Sequence, residues 1–207
     1  MLYDITRTVS AQTAVFPGDT PYRVDEQWRI SDGAPVNLTA ITTTPHVGTH
    51  ADAYYHYERD GAHPAAMPLE PYIGRARVVS VGRHSGAMTL DDLATDSIDG
   101  AERLLIHTWV SDVPDDQWVE DFPYPSVGLI EALAAHGVKL IGLDVASVDA
   151  VDSTTLPGHH ALKRLGMVNL ENLILRDVPD GDYELSALPL KLDAACGSPV
   201  RAVLRTL

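Results

Sequence analysis

The chain is poor in sulfur, in positive charge and in long apolar runs, and each shortage removes a class of protein. Its 207 residues include one cysteine, Cys196. One thiol closes no intramolecular disulfide, so a secreted disulfide scaffold is excluded. A zinc site built on cysteines is excluded on the same count, which leaves His, Asp and Glu for any ion. Lys and Arg number 15 against 29 Asp and Glu, a formal net charge of −14. Nucleic-acid binders and binders of anionic membranes need basic surface, so both are disfavoured. No stretch approaches the length of a membrane span. The opening Met-Leu-Tyr-Asp-Ile-Thr-Arg lacks a basic region followed by an apolar one, so no signal peptide is expected and a cytoplasmic location is.

What remains fits one globular unit, residues 1–207, with 45% hydrophobic residues. Pro and Gly punctuate the chain at short intervals, as in proteins of many short strands. Apolar or β-branched runs predict strands at Leu2–Val9, Leu38–Thr44, Ala76–Val81, Arg103–Val110, Lys139–Val145, Glu171–Leu175, Glu184–Leu192 and Val200–Leu204. Thr89 followed by Asp92 reads as a helix start. Leu129, Ile130 and Leu133 predict a helix over Val127–His136 that stops at Gly137, and a short helix is expected over His159–Leu165. The fold class is a strand-rich mixed α/β domain.

Nine histidines are present, and three of them share one eleven-residue segment, His46-Val-Gly-Thr-His50-Ala-Asp52-Ala-Tyr-Tyr-His56. A lone histidine is commonly structural or solvated. Three with an aspartate at this spacing point to a metal site, because imidazole and carboxylate are the usual ligands when cysteine is absent. His46, His50, Asp52 and His56 have one parity, so an extended strand would present all four on one face. His50 and Asp52 would then sit roughly 6.6 Å apart at the backbone. His46 and His50 would be about 13 Å apart in a straight strand, so a bend between them is required, and Gly48 permits it. A second cluster, His159-His160 with Glu171 beyond, reads equally well as a polar turn before a helix or as remote ligands.

These motifs resemble the metal-dependent cyclase-type hydrolases, and within them the kynurenine formamidase (arylformamidase) subgroup. The signature His-x-Gly-Thr-His-x-Asp-x-Pro-x-His runs from His46 to His56, with Tyr54 in place of its Pro. Phe16-Pro-Gly-Asp-Thr-Pro21, Gly142–Asp149, Leu156–Ala161, Leu170–Leu173, Gly181–Lys191 and Ser198–Arg205 look like the subgroup. The resemblance implies a swivelling β/β/α fold, usually in a homodimer, and a site for two divalent ions: zinc, manganese or cobalt. His46, His50 and Asp52 would hold the first ion. Asp52, His159 and Glu171 would hold the second, with Glu171 a second candidate bridge beside Asp52. The spacing to Glu171 selects His159 over His160. His56 would be the acid/base residue. Phe16, where the subgroup usually carries Trp, would pack on the ring of a small aryl formamide. The activity implied is hydrolysis of N-formyl-L-kynurenine to L-kynurenine and formate by a water that the two ions activate. A hydrolase of isatin-type cyclic amides or other aryl amides is the alternative, and Tyr54 is expected to loosen the backbone after Asp52 and add bulk near the site.

Overall fold

The computed structural model describes residues 1–94 and 98–207. In chain order the strands and helices are β1 (Leu2–Asp4), β2 (Arg23–Trp28), β3 (Leu38–Thr42), β4 (His50–Asp52), β5 (Ile73–Ser80), β6 (Gly86–Met88), β7 (Arg103–His107), β8 (Pro123–Pro125), α1 (Val127–Ala135), β9 (Leu140–Leu143), α2 (Pro157–Arg164), β10 (Val168–Glu171), β11 (Gly181–Ser186), β12 (Gly197–Pro199) and β13 (Val203–Thr206). Nine of these strands form one sheet in the order β1-β13-β11-β5-β7-β9-β10-β4-β12. Its middle, β5-β7-β9-β10, is parallel; both flanks are antiparallel.

The parallel strands read as nearly continuous apolar runs because both of their faces are covered. Alternate residues feed separate cores. Leu104, Ile106, Ile141 and Leu143 join Leu129, Ile130 and Leu133 of α1 and Leu162 of α2 on one side. Leu105 and Leu140 join Tyr72, Val78, Leu170, Leu185 and Leu204 on the other. The cap of α1 is Ser126, whose Oγ accepts from the amide of Leu129 at 3.1 Å.

The strand-rich α/β class expected from sequence is observed. Several limits differ. The first strand stops at Asp4 and β7 stops at His107, where a 3-10 turn over Trp109–Asp112 begins. The Thr89–Asp92 signal is a real capping box, but it starts only a single 3-10 turn. The strand expected over Glu171–Leu175 lies earlier, at Val168–Glu171. Asn172 adopts a left-handed φ of 56° and turns the chain away; Leu173 and Leu175 are buried without entering a named strand. β11 ends at Ser186, short of the expected Leu192, ahead of Pro189. β2 escaped the sequence reading, as did three-residue strands such as β6 and β12, whereas β4 lies within the bent strand expected over His46–His56. Among the described residues no helix is long and apolar enough to cross a membrane.

Candidate metal centre

The site is assembled on β4. His50 and Asp52 are two residues apart in a strand and so share a face. β4 lies between β10 and β12. Its pairing sets His50 opposite Glu171 and Asp52 opposite Gly197, and side chains of directly paired residues project together. Asn169, two residues before Glu171, shares its face of β10. It donates from Nδ2 to Asp52 at 2.7 Å and to Glu171 at 2.9 Å, bracing the two carboxylates.

The expected bend is present. Gly48 has φ 60°, and a Cβ there would lie 2.8 Å from Val9 Cγ2, so both conformation and space require glycine. The bend folds His46 back until its Nδ1 is 3.0 Å from Asp52 Oδ1. His50 Nδ1 donates to the Gly48 carbonyl at 2.9 Å, which leaves Nε2 facing Asp52 Oδ1 and Glu171 Oε2, each at 3.4 Å. His159, on α2, reaches Asp52 Oδ2 with Nε2 at 3.3 Å and Glu171 Oε1 at 3.9 Å. His160 points elsewhere, to Glu58 at 3.0 Å. His56 does not continue the strand face; it ends a 3-10 turn over Tyr54–His56. It is exposed, with its ring 4.1 Å from that of His46 and 5.9 Å from that of His159.

Burial works against charging each imidazole, but the carboxylates beside them outweigh it. His46 rises from 6.5 to about 9, and His50 and His159 to about 10. Burial also opposes ionisation of Asp52, yet the imidazoles of His159, His46 and His50 around it hold it well below the usual carboxylate range. Even so, His50 Nε2 and Asp52 Oδ1 are fully buried without a hydrogen-bond partner, a costly arrangement unless something sits between them. Two donor triads converge there, His46-His50-Asp52 and Asp52-His159-Glu171, each with its ligand atoms within 4.8 Å of one another. Nitrogen and oxygen donors in this number suit a divalent cation. The residues therefore fit the two-ion arrangement in chemistry, with Asp52 common to both triads.

Two expectations need correction. The reading that left only His, Asp and Glu for an ion passed over Cys196, whose Sγ lies 3.2 Å from His46 Nε2. Cys196 also forms a third possible donor group with His46 and His56. Hydrogen bonds from those two histidines pull its thiol down to about 6. Sequence spacing gave no sign of this, because 150 residues separate Cys196 from His46. The side chain of Tyr54 adds no bulk to the cavity beside the site. Its hydroxyl donates to the Met167 carbonyl at 3.0 Å, and it is absent from the lining of the cavity beside the site.

That cavity, about 450 Å³, is lined by His46, His50, His56, His159 and Glu171 at one end and by Phe16 and Trp118 elsewhere. Phe16 and Trp118 meet edge to face, their centroids 5.4 Å apart, a favoured geometry for an aromatic pair. Phe16 was expected there. Trp118 was not, since nothing near it in sequence marks it.

Residues 3–150 match the family described as putative cyclase, and the chain belongs to that family. A kynurenine formamidase of Bordetella pertussis (strain Tohama I) is 46% identical over 206 residues, spanning 100% of this chain and 98% of that protein. Among solved structures, a potential metal-dependent hydrolase with cyclase activity superposes with a TM-score of 0.84 at 25% identity, over 99% of this chain and 96% of its own. Isatin hydrolase A from Labrenzia aggregata, solved with benzyl benzoate, gives 0.84 at 22% identity over 99% and 93%, a likeness of fold alone. The protein is thus a hydrolase, and its His, Asp and Glu clusters suit divalent metal binding.

Proposed function

We propose that this hydrolase converts N-formyl-L-kynurenine and water to L-kynurenine and formate, with two divalent ions at the paired triads and His56 as the acid/base. The observation that carries the reading is the double triad sharing Asp52, with His56 beside it at the wall of an aromatic cavity. Full-length relatives bearing the kynurenine formamidase name support it.

His46, His50 and Asp52 would hold one ion, and Asp52, His159 and Glu171 the other: zinc, or manganese or cobalt on the same donors. Such ions, when bound, supply a water of lowered pKa and polarise a carbonyl oxygen. The remaining chemistry belongs to the chain. Asp52 and Glu171 bring two negative charges that offset the repulsion of neighbouring cations. Phe16 and Trp118 offer an apolar wall to an aryl group. The departing aniline nitrogen needs a proton as its C–N bond breaks. His56 is exposed to the cavity and adjacent to both triads, so it can take a proton from the attacking water and return it to that nitrogen.

The same reading treats residues 1–207 as one cytoplasmic unit that works as a homodimer. The hairpin β2–β3 supports the dimer: Val24, Trp28, Leu38 and Ile41 are all exposed on it, an apolar surface of the kind that marks interfaces. The deciding assay measures formate release from N-formylkynurenine and simple formanilides, and ring opening of isatin, before and after chelation and with metal added back. Chelator-sensitive turnover of formylkynurenine above the others is expected. Preference for isatin would transfer the assignment to cyclic amides.

A further inference from the structure

Each of the three triad histidines has its second ring nitrogen engaged, and the partners differ in kind. His50 Nδ1 is held by the Gly48 carbonyl at 2.9 Å. His46 Nε2 meets the Cys196 sulfur, at 3.2 Å. His159 Nδ1 meets a carboxylate, Asp149 Oδ2, at 2.7 Å. We propose that Asp149 is a positioning residue that locks His159 with Nε2 toward Asp52 and Glu171, and that the ion at Asp52-His159-Glu171 is in consequence the more tightly held of the two. The inference rests on the two-ion reading of the site.

Asp149 is built into its place. It is buried, and its carboxylate also accepts the amides of Gly158 at 2.7 Å and His159 at 3.0 Å, the first turn of α2. A Cβ on Gly158 would lie 2.9 Å from Asp149 Oδ1 and 2.7 Å from the Val148 carbonyl, so only glycine lets the helix approach so closely. Leu156 adopts a left-handed conformation, φ 45°, just before the helix, and such a residue is uncommon outside glycine. The chain thus keeps an awkward turn that lays the start of α2 on this one carboxylate. The two backbone amides and the ring Nδ1–H together fix both the position of His159 and its tautomer. A carboxylate behind a metal-ligating imidazole also raises the basicity of the nitrogen that faces the metal. A thiol is a weaker acceptor than a carboxylate, and the His46 side chain is 15% exposed against 4% for His159. Both contrasts point the same way.

The test loads the full-length protein with zinc, dialyses it against graded chelator and counts the metal that remains. The wild type is expected to release its two equivalents in two steps. In Asp149→Ala the tighter step should weaken by about 10- to 100-fold and merge with the looser one. Asp149→Asn keeps an acceptor oxygen without the charge and should fall between, so it decides the matter if the alanine variant does not fold. Cys196→Ala should affect only the looser step. A purely structural Asp149 would lower the melting temperature and leave both steps in place; that result, or simultaneous release from the wild type, overturns the proposal. A wild type that takes up no zinc at all would instead remove the two-ion reading itself.

Discussion

Strand β4, one place in from the edge of the large sheet, and the hairpin β2–β3 break opposite rules. All three residues of β4 are buried although two of them, His50 and Asp52, are ionisable. All five residues of β3 are exposed although Leu38 and Ile41 are large and apolar. Burying charge is expensive unless it is paired, and a cluster of exposed apolar side chains marks a surface that another surface covers. Under the proposed function the two anomalies have different partners: cations in one place, a second copy of the chain in the other.

The largest effect should come from the residue common to both triads. Asp52→Ala is expected to remove bound metal and lower kcat/KM by at least about 10⁴-fold, since several kcal/mol of transition-state stabilisation go with the ions. Elemental analysis and kinetics check it, and retained metal would show that the buried charges at β4 need no cation. His56→Ala should leave metal content intact while kcat falls by about 10²- to 10⁴-fold; near-native turnover would return His56 to an ordinary surface histidine. On the other side of the comparison, Trp28→Ala should weaken self-association by about 2 kcal/mol, roughly thirtyfold, as a central aromatic anchor does. Sedimentation measures this, and metal content should not change. A monomeric wild type would leave the hairpin's exposure unexplained by a second copy.

The smallest effect is one of pH. In metal-free protein His46, His50 and His159 titrate at about 9, 10 and 10, against 6.5 ordinarily. Their stabilising charge is complete below pH 6.5 and is lost as pH rises through 9 to 10. The melting temperature of stripped protein should fall over that interval. Zinc-loaded protein should lack the fall, because metal replaces the protons and binds more strongly as pH rises. Parallel melting curves for the two forms would mean that protons and metal do not compete for these nitrogens.

Sequence made part of this legible. His46, His50, Asp52 and His56 lie in one segment, and their chemistry is visible because it is local. So is Gly48, whose freedom the bend between His46 and His50 demands. Asn169, Asp149, Trp118 and Cys196 reach the site only through strand pairing and helix placement, which no spacing reveals. Glu171 was visible beyond His159-His160, but only the family pattern chose the ligand reading, and its strand was misplaced because the run after it, Leu173–Leu175, looks like a strand and is not one. β12 is too short to register as a periodic segment, and β4 is legible only through the parity of its histidine motif, yet the two carry the pairing that fixes Asp52.

That pairing also sets a timetable. β4 is complete once residue 52 has been synthesised, but its edges are filled by β10 and β12, which end at residues 171 and 199. At cellular rates of chain growth the wait for β12 is roughly 7–30 s. Until β10 is made at residue 171, the histidine-rich segment has no neighbouring strand to join, and any ion it captures is held by a partial set of ligands. A nascent chain halted just before Gly197 would already contain His46, His50, Asp52, His56, His159 and Glu171, yet the far side of Asp52 would have no strand against it.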